Sequence, residues 1–154
     1  MVFVGCAATR LPLAEPADRG WVTREIFDQP LYEPFRTGLD TAAVAADYVD
    51  LIRSVSTGVD VIVFFGGWCS DSRREVPRFL KLADSAGIAP ERIRLYALDP
   101  TKKSDDGMTD LWQIEFVPTI IFLVQGTEIG RITETPRTTM EADLLTILAG
   151  ARPR

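Results

Sequence analysis

An α/β fold, built on a central mixed β-sheet flanked by helices on both faces, is what this sequence predicts. Three observations point to it. Val59 to Phe65 is an unbroken β-branched and aromatic run, the pattern of a central strand buried on both faces. Helical apolar stripes alternate with such runs along the chain, which sets helices between strands and against the sheet. The last two strands, 119–124 and 128–133, are separated only by Gln125-Gly126-Thr127, so the sheet ends in an antiparallel hairpin.

Taken in order, residues 1–20 read as a tail and 21–150 as one domain. Between Thr9 and Gly20 the chain is rich in Pro, Ala and charge (Pro12, Pro16), the composition of a tether. Trp21 to Phe27 favours a strand at a sheet edge. Gln29 to Gly38, with Pro30 and Pro34, reads as loop. Asp40 or Thr41 is expected to cap a helix whose buried stripe is Val44, Tyr48, Leu51, Ile52 and Val55, ending before Gly58. After the Val59–Phe65 strand a helix buries Val76, Phe79, Leu80 and Ala83, keeps Arg73, Arg74, Arg78 and Lys81 largely off that face, and stops at Gly87. Arg92 to Leu98 is the next strand. Asp99 to Gly107 is expected to be a solvated loop and nothing more, and 108–114 a short helix. After the hairpin, Thr138 with Glu141 three residues on reads as a capping box opening a last helix through Leu144, Leu145, Ile147 and Leu148.

Composition narrows the chemistry. The 154 residues, 46% apolar and 25% charged, are enough for one domain with a real core. There is no histidine, which excludes Ser-His-Asp and Cys-His nucleophile pairs, His-containing zinc sites and imidazole acid/base chemistry. Two cysteines cannot build a four-thiolate metal site. No metal and no cofactor is expected. The net charge of −5 offers no basic face for nucleic acid, and no apolar run approaches the length of a transmembrane helix.

The two cysteines differ. Phe3-Val4-Gly5-Cys6-Ala7-Ala8 resembles the lipobox of a bacterial lipoprotein, in which the cysteine carries a lipid anchor, although only five residues precede Cys6. If a signal stretch precedes Met1, a periplasmic or membrane-anchored lipoprotein is expected; otherwise a cytoplasmic protein, with Cys6 a bland exposed residue. Cys6 is also a second thiol on a long tether, and so a distant candidate for resolving a disulfide at Cys69. Cys69 follows the buried strand directly and opens a helix. That is the carboxyl end of the sheet, where open α/β folds place their sites, and a helix amino terminus favours thiolate over thiol. Arg73 and Arg74 add positive potential there, and Asp71 opposes it.

Trp68-Cys69-Ser70-Asp71-Ser72 resembles the Trp-Cys-x-x-Cys site of the thioredoxin-like family, with serine at the second cysteine. Pro77, eight residues after Cys69, matches the proline that bends that family's site helix. Val117-Pro118-Thr119 resembles its cis-proline loop, and Gly126, eight residues further, its hairpin glycine. The resemblance spans about residues 40–150. It implies a thioredoxin-like fold and a Cys69 that attacks protein disulfides or those of low-molecular-weight thiols. Trp68, Ser70, Asp71, Val117, Pro118 and Thr119 would then line the substrate site. Trp112 and Phe116 are expected to be packing beside that loop.

Two departures limit what the resemblance implies. Ser72 lacks the thiol that would release a mixed disulfide, because a hydroxyl is far too weak an acid to serve. Val63 stands where the family carries a buried acid, six residues before the first cysteine. The loss of both together suits a natural variant better than an engineered Cys→Ser trap. The expected activity is that of a monothiol oxidoreductase or isomerase: Cys69 is the nucleophile, Ser72 donates a hydrogen bond toward its sulfur, and an external thiol completes the cycle. The alternatives are a non-catalytic binding module using the cis-proline groove, or a glutathione-dependent, monothiol glutaredoxin-like protein.

Overall fold

The computed structural model describes residues 19–151. Cys6 and nearly all of the expected tether lie outside the described residues. Five strands form one mixed sheet: β1 (Gly20–Val22), β2 (Val59–Phe65), β3 (Ile93–Ala97), β4 (Thr119–Val124) and β5 (Thr127–Thr133), in the spatial order β1-β3-β2-β4-β5. Only β2 and β3 run parallel; the other neighbours are antiparallel. β2 is therefore central, as its composition requires. Its side chains alternate strictly between two cores. Val61, Val63 and Phe65 join one, and Ile62 and Phe64 the other.

The helices are α1 (Glu33–Thr41), α2 (Ala46–Val55), α3 (Ser70–Ala86), α4 (Met108–Leu111) and α5 (Met140–Gly150). Each of α1, α2, α3 and α5 contributes buried apolar residues to the larger core. The opposite face is covered by α4 and the segments beside it, through Ile114, Val117, Met108 and Trp112. None of the described helices is long and apolar enough to cross a membrane.

Several expectations need correction. β1 ends at Val22, and Ile26 and Phe27 turn into the core on a 3-10 helix at Arg24–Asp28, because apolar spacing cannot separate a strand from a short helix here. Residues 29–38 are not loop: Pro30 and Pro34 each sit in the first turn of a helix, the one helical place where a missing N–H costs nothing. Asp40 and Thr41 close α1 rather than cap α2, and Leu51 is 52% exposed while Val49 packs inward. α4 stops at Leu111, short of the expected 114. Residues 99–107 are more than a solvated excursion, since Asp106 accepts the Tyr96 hydroxyl at 2.7 Å and Ser104 and Thr109 bond reciprocally. Burial first, and then that bond to Asp106, pushes the Tyr96 phenol up. The cap of α5 is Thr139, whose hydroxyl accepts Ala142 N–H at 3.1 Å. Thr138 donates to Asp143 instead.

Candidate functional site

The site grows out of the end of the central strand. After Phe65, the Gly66-Gly67-Trp68 turn is closed by Cys69 N–H donating to the Gly66 carbonyl at 3.1 Å. Cys69 is then the N-cap of α3, in extended conformation, and its carbonyl accepts Arg73 N–H at 3.0 Å. No side chain caps this helix. Cys69 is half-buried and occupies the N-cap residue of a helix whose first-turn amides have no partner within the helix. The Cys69 thiol donates to the Val117 carbonyl at 3.3 Å. The Val117–Pro118 peptide bond is cis. The loop is anchored on both sides, since Pro118 O accepts Glu134 N–H at 2.7 Å and Thr119 Oγ1 donates to Phe116 O at 2.8 Å. Thr119 is buried and begins β4 opposite Phe64 of β2.

The two glycines are compelled by close approach. A β-carbon at Gly66 would lie 2.6 Å from the Trp68 indole, and one at Gly67 would lie 2.8 Å from the Tyr32 ring. Trp68 folds back over Gly66, donates from Nε1 to the Leu98 carbonyl at 2.9 Å, and stays 36% exposed. On its outer side a cavity of about 540 Å³ opens between Arg19, Leu31, Tyr32, Leu98 and Pro100.

The remaining candidates sort by their partners. Ser72 is fully buried, and its Oγ accepts Gly66 N–H at 3.2 Å. No hydrogen bond joins it to the Cys69 sulfur, so its bond ties the end of β2 to α3. Arg73 Nε donates to the Gly67 carbonyl at 2.7 Å, holding its cation on the loop that carries Cys69. Arg74 does not serve the thiol: it donates to Glu75 at 2.6 Å and Asp71 at 2.7 Å, and these two bonds hold its guanidinium above the usual pKa. The positive potential of Arg74 and the negative potential of Asp71 largely cancel each other. Ser70 is exposed in the first turn. Trp112 packs against the smaller core alongside Cys69 and Met108. Phe116 is not packing, being 44% exposed with Lys102 Nζ 5.5 Å above its ring. Among the described residues no cluster could hold a metal ion.

Sequence reasoning missed Arg19, Leu31 and Tyr32, which come from segments read as tail and loop. It also missed the need for Gly66 and Gly67, for which the adjacent Trp68 was the available signal.

A mixed five-stranded sheet with one parallel pair at its centre, a long helix starting at the carboxyl end of β2 and a loop from the start of β4 facing that start define a thioredoxin-like α/β fold. No protein-family model matches the chain, and a comparison with curated proteins finds no match. Among solved structures it is similar to a protein of unknown function from Pseudomonas aeruginosa, at 16% identity and a TM-score of 0.58 over 81% of this chain and 86% of that one. It is also similar to an HIV epitope-scaffold protein, at 18% identity and 0.57 over the same shares. A thioredoxin f2 of Chlamydomonas reinhardtii gives 18% identity and 0.44 over 63% of this chain and 82% of that one. At such identities the likeness to the first two speaks to fold alone.

Proposed function

We propose that this protein carries out thiol–disulfide exchange through Cys69, on protein disulfides or on those of low-molecular-weight thiols. One observation supports this above the rest: a half-buried sulfur at the N-cap of a 17-residue helix, in contact with the carbonyl of a loop whose following peptide bond is cis. The thiolate attacks one sulfur of the substrate disulfide, forms a mixed disulfide and expels the other sulfur as a thiolate. Ser72 cannot finish the reaction, because its hydroxyl is not a nucleophile at neutral pH and is bonded beneath Gly66. A thiol from outside α3 attacks the Cys69 sulfur, and a second exchange restores the free thiol. Val117, Pro118 and Thr119 hold the extended substrate strand. Trp68, Ser70 and Asp71 line its other side, and Arg73 holds positive charge on the loop.

Exposure to glutathione disulfide tests this. The protein is expected to gain one glutathione at Cys69, lost on reduction and absent in Cys69→Ser, and to reduce a model disulfide only with added thiol. A Cys69 that forms no adduct refutes the reading. The exposed rings of Trp68 and Phe116 favour one other function, a binding module in which sulfur chemistry plays no part. A partner captured equally well by Cys69→Ser would support it.

A further inference from the structure

We infer that Lys102 and Phe116 form a carboxylate seat beside Cys69, so that the preferred substrate is a disulfide with an acidic group close to its reacting cysteine. This rests on the proposed function and names the substrate class of the same site.

The other cations around the site are committed elsewhere. Arg73 Nε donates to the Gly67 carbonyl, Arg74 lies between Asp71 and Glu75, and Arg131 holds both oxygens of Glu128. Arg137, which lines a cavity with Phe116, acts on the Asp143 carboxylate. Lys102 is half-buried, and among the described residues its one recorded side-chain contact is the Phe116 ring, whose centre lies 5.5 Å from Nζ.

The turn beneath Lys102 fixes that placement. Lys102 N–H donates to the Asp99 carbonyl at 3.0 Å, and the Asp99 carboxylate accepts both the N–H and the hydroxyl of Thr101. Lys102 itself has φ 56°, in the left-handed region that side-chain-bearing residues rarely enter. Such a conformation persists where its surroundings over-determine it, and it gathers at ligand-binding places.

The ring is equally well anchored. Phe116 leads directly into Val117, whose carbonyl accepts the Cys69 thiol at 3.3 Å, and its own carbonyl accepts Thr119 Oγ1 at 2.8 Å. An ammonium above a ring face gives up water on that side, and the ring quadrupole returns only part of what a full anion would. A carboxylate closing on Nζ completes the site with its other side still open to solvent. A substrate strand lying along Val117–Thr119 reaches Phe116 next. A carboxylate one or two residues from its cysteine then comes to the ammonium. Glu115 and Glu134 are exposed on the neighbouring segments and the chain carries −5, so the seat acts by contact and not by long-range attraction.

The exchange itself is unchanged. The bond from Cys69 to one substrate sulfur forms, the substrate disulfide bond breaks, and the other sulfur leaves as a thiolate. The acidic group has two sources, the carboxylates of a low-molecular-weight thiol such as glutathione or an acidic side chain of a polypeptide.

The test measures the rate of mixed-disulfide formation at Cys69 by quenched intact mass, in a Cys6→Ser background so that one thiol is counted. The probes are glutathione disulfide, neutral hydroxyethyl disulfide, and two blocked peptide disulfides with Asp or Asn two residues from the cysteine. For each probe the unmodified position 102 is compared with Lys102→Gln and Lys102→Arg, which cancels the probe's own reactivity. Lys102→Gln is expected to slow glutathione disulfide, the Asp peptide or both by about fivefold, with hydroxyethyl disulfide and the Asn peptide unchanged and Lys102→Arg close to the parent. Slowing of glutathione disulfide alone assigns the seat to a low-molecular-weight thiol; slowing of the Asp peptide alone assigns it to polypeptides. Equal ratios for charged and neutral probes overturn the inference and leave the proposed function standing. A Cys69 that reacts with none of the four removes the proposed function, and the inference with it.

Discussion

Replacing Gly66 by alanine isolates the contact that sets Trp68. Gly66 does not have a positive φ, so its backbone accepts a side chain, and the three nearest obstacles are all atoms of the Trp68 indole. The new β-carbon would sit 2.6 Å from both Cε2 and Nε1. A rigid ring pinned by its Nε1–Leu98 bond cannot yield by a few tenths of an ångström and must swing outward. Tryptophan buries about 150–250 Å². Trp68 is 36% exposed, so displacement uncovers on the order of 80 Å² more, about 2 kcal/mol at ~25 cal/mol/Å². Loss of the Leu98 hydrogen bond adds about 1 kcal/mol, and the stiffer unfolded chain returns about 0.5–1 kcal/mol. The net cost is about 2 kcal/mol. Urea unfolding of the unmodified protein, Gly66→Ala, Trp68→Ala and the double variant measures it as a cycle. Gly66→Ala should cost about 2 kcal/mol with Trp68 present and close to nothing without it. The same cost in both backgrounds would refute the packing argument.

Three further outcomes follow from named contacts. Ser72→Ala strands the buried Gly66 N–H and should cost about 1–2 kcal/mol in denaturant unfolding while leaving the Cys69 alkylation rate nearly unchanged. A large fall in that rate with stability intact would place the hydroxyl on the sulfur instead. Gly38→Ala should lower the thermal midpoint despite alanine's helix preference of about 1 kcal/mol. Its β-carbon would lie 2.8 Å from Pro77 Cβ on the packed face of α3, and overpacking costs about 1–3 kcal/mol; a stabilised variant contradicts this. Partial burial pushes the Asp143 carboxyl up, but the Thr138 hydroxyl and the Arg137 and Thr138 amides outweigh it and hold it below the ordinary carboxylate range. A depressed carboxylate stabilises above its unfolded pKa of about 3.9 and stops doing so as pH falls through its folded pKa. Asp143→Asn should therefore be less stable than the parent near neutrality, and the gap should narrow below about pH 4; a constant gap in pH-dependent unfolding would sink the assignment.

What could be read from the sequence was whatever is encoded locally and redundantly. Val59–Phe65 is recovered residue for residue, because a strand buried on both faces admits no polar alternation and so no ambiguity of period. The Val76, Phe79, Leu80 and Ala83 stripe is buried because its three-and-four spacing puts all four on one face of a helix. Prolines misled at 29–38, since a proline in a helix's first turn and one in a loop look alike without knowledge of where the turn begins. Thr138 with Glu141 three residues on has the spacing of a capping box, but Asp143, five residues on, takes the Thr138 hydroxyl and leaves the cap to Thr139. At the site, Cys69, Trp68 and the Val117–Thr119 loop were legible as short motifs. Leu31, Tyr32 and Arg19 were not, because their role depends on three distant segments meeting over Gly67 and Trp68. Arg74 could have been discounted in advance: with Asp71 three residues before it and Glu75 beside it, its cation had closer partners than the thiol.

The same contacts explain why one sulfur and one hydroxyl divide the motif between them. A buried N–H at Gly66 demands an acceptor, and a serine oxygen meets that demand better than a thiol sulfur, which accepts weakly. With serine there, the turn that presents Cys69 is held from beneath by Ser72, from the side by Arg73 on the Gly67 carbonyl, and from above by Trp68 on the Leu98 carbonyl. None of these three bonds uses the Cys69 side chain, so the sulfur can bond to a substrate without loosening the loop that presents it. A second cysteine at position 72 would have to leave its structural bond to attack Cys69. In the proposed exchange, a thiol arriving from outside the helix would leave that support intact.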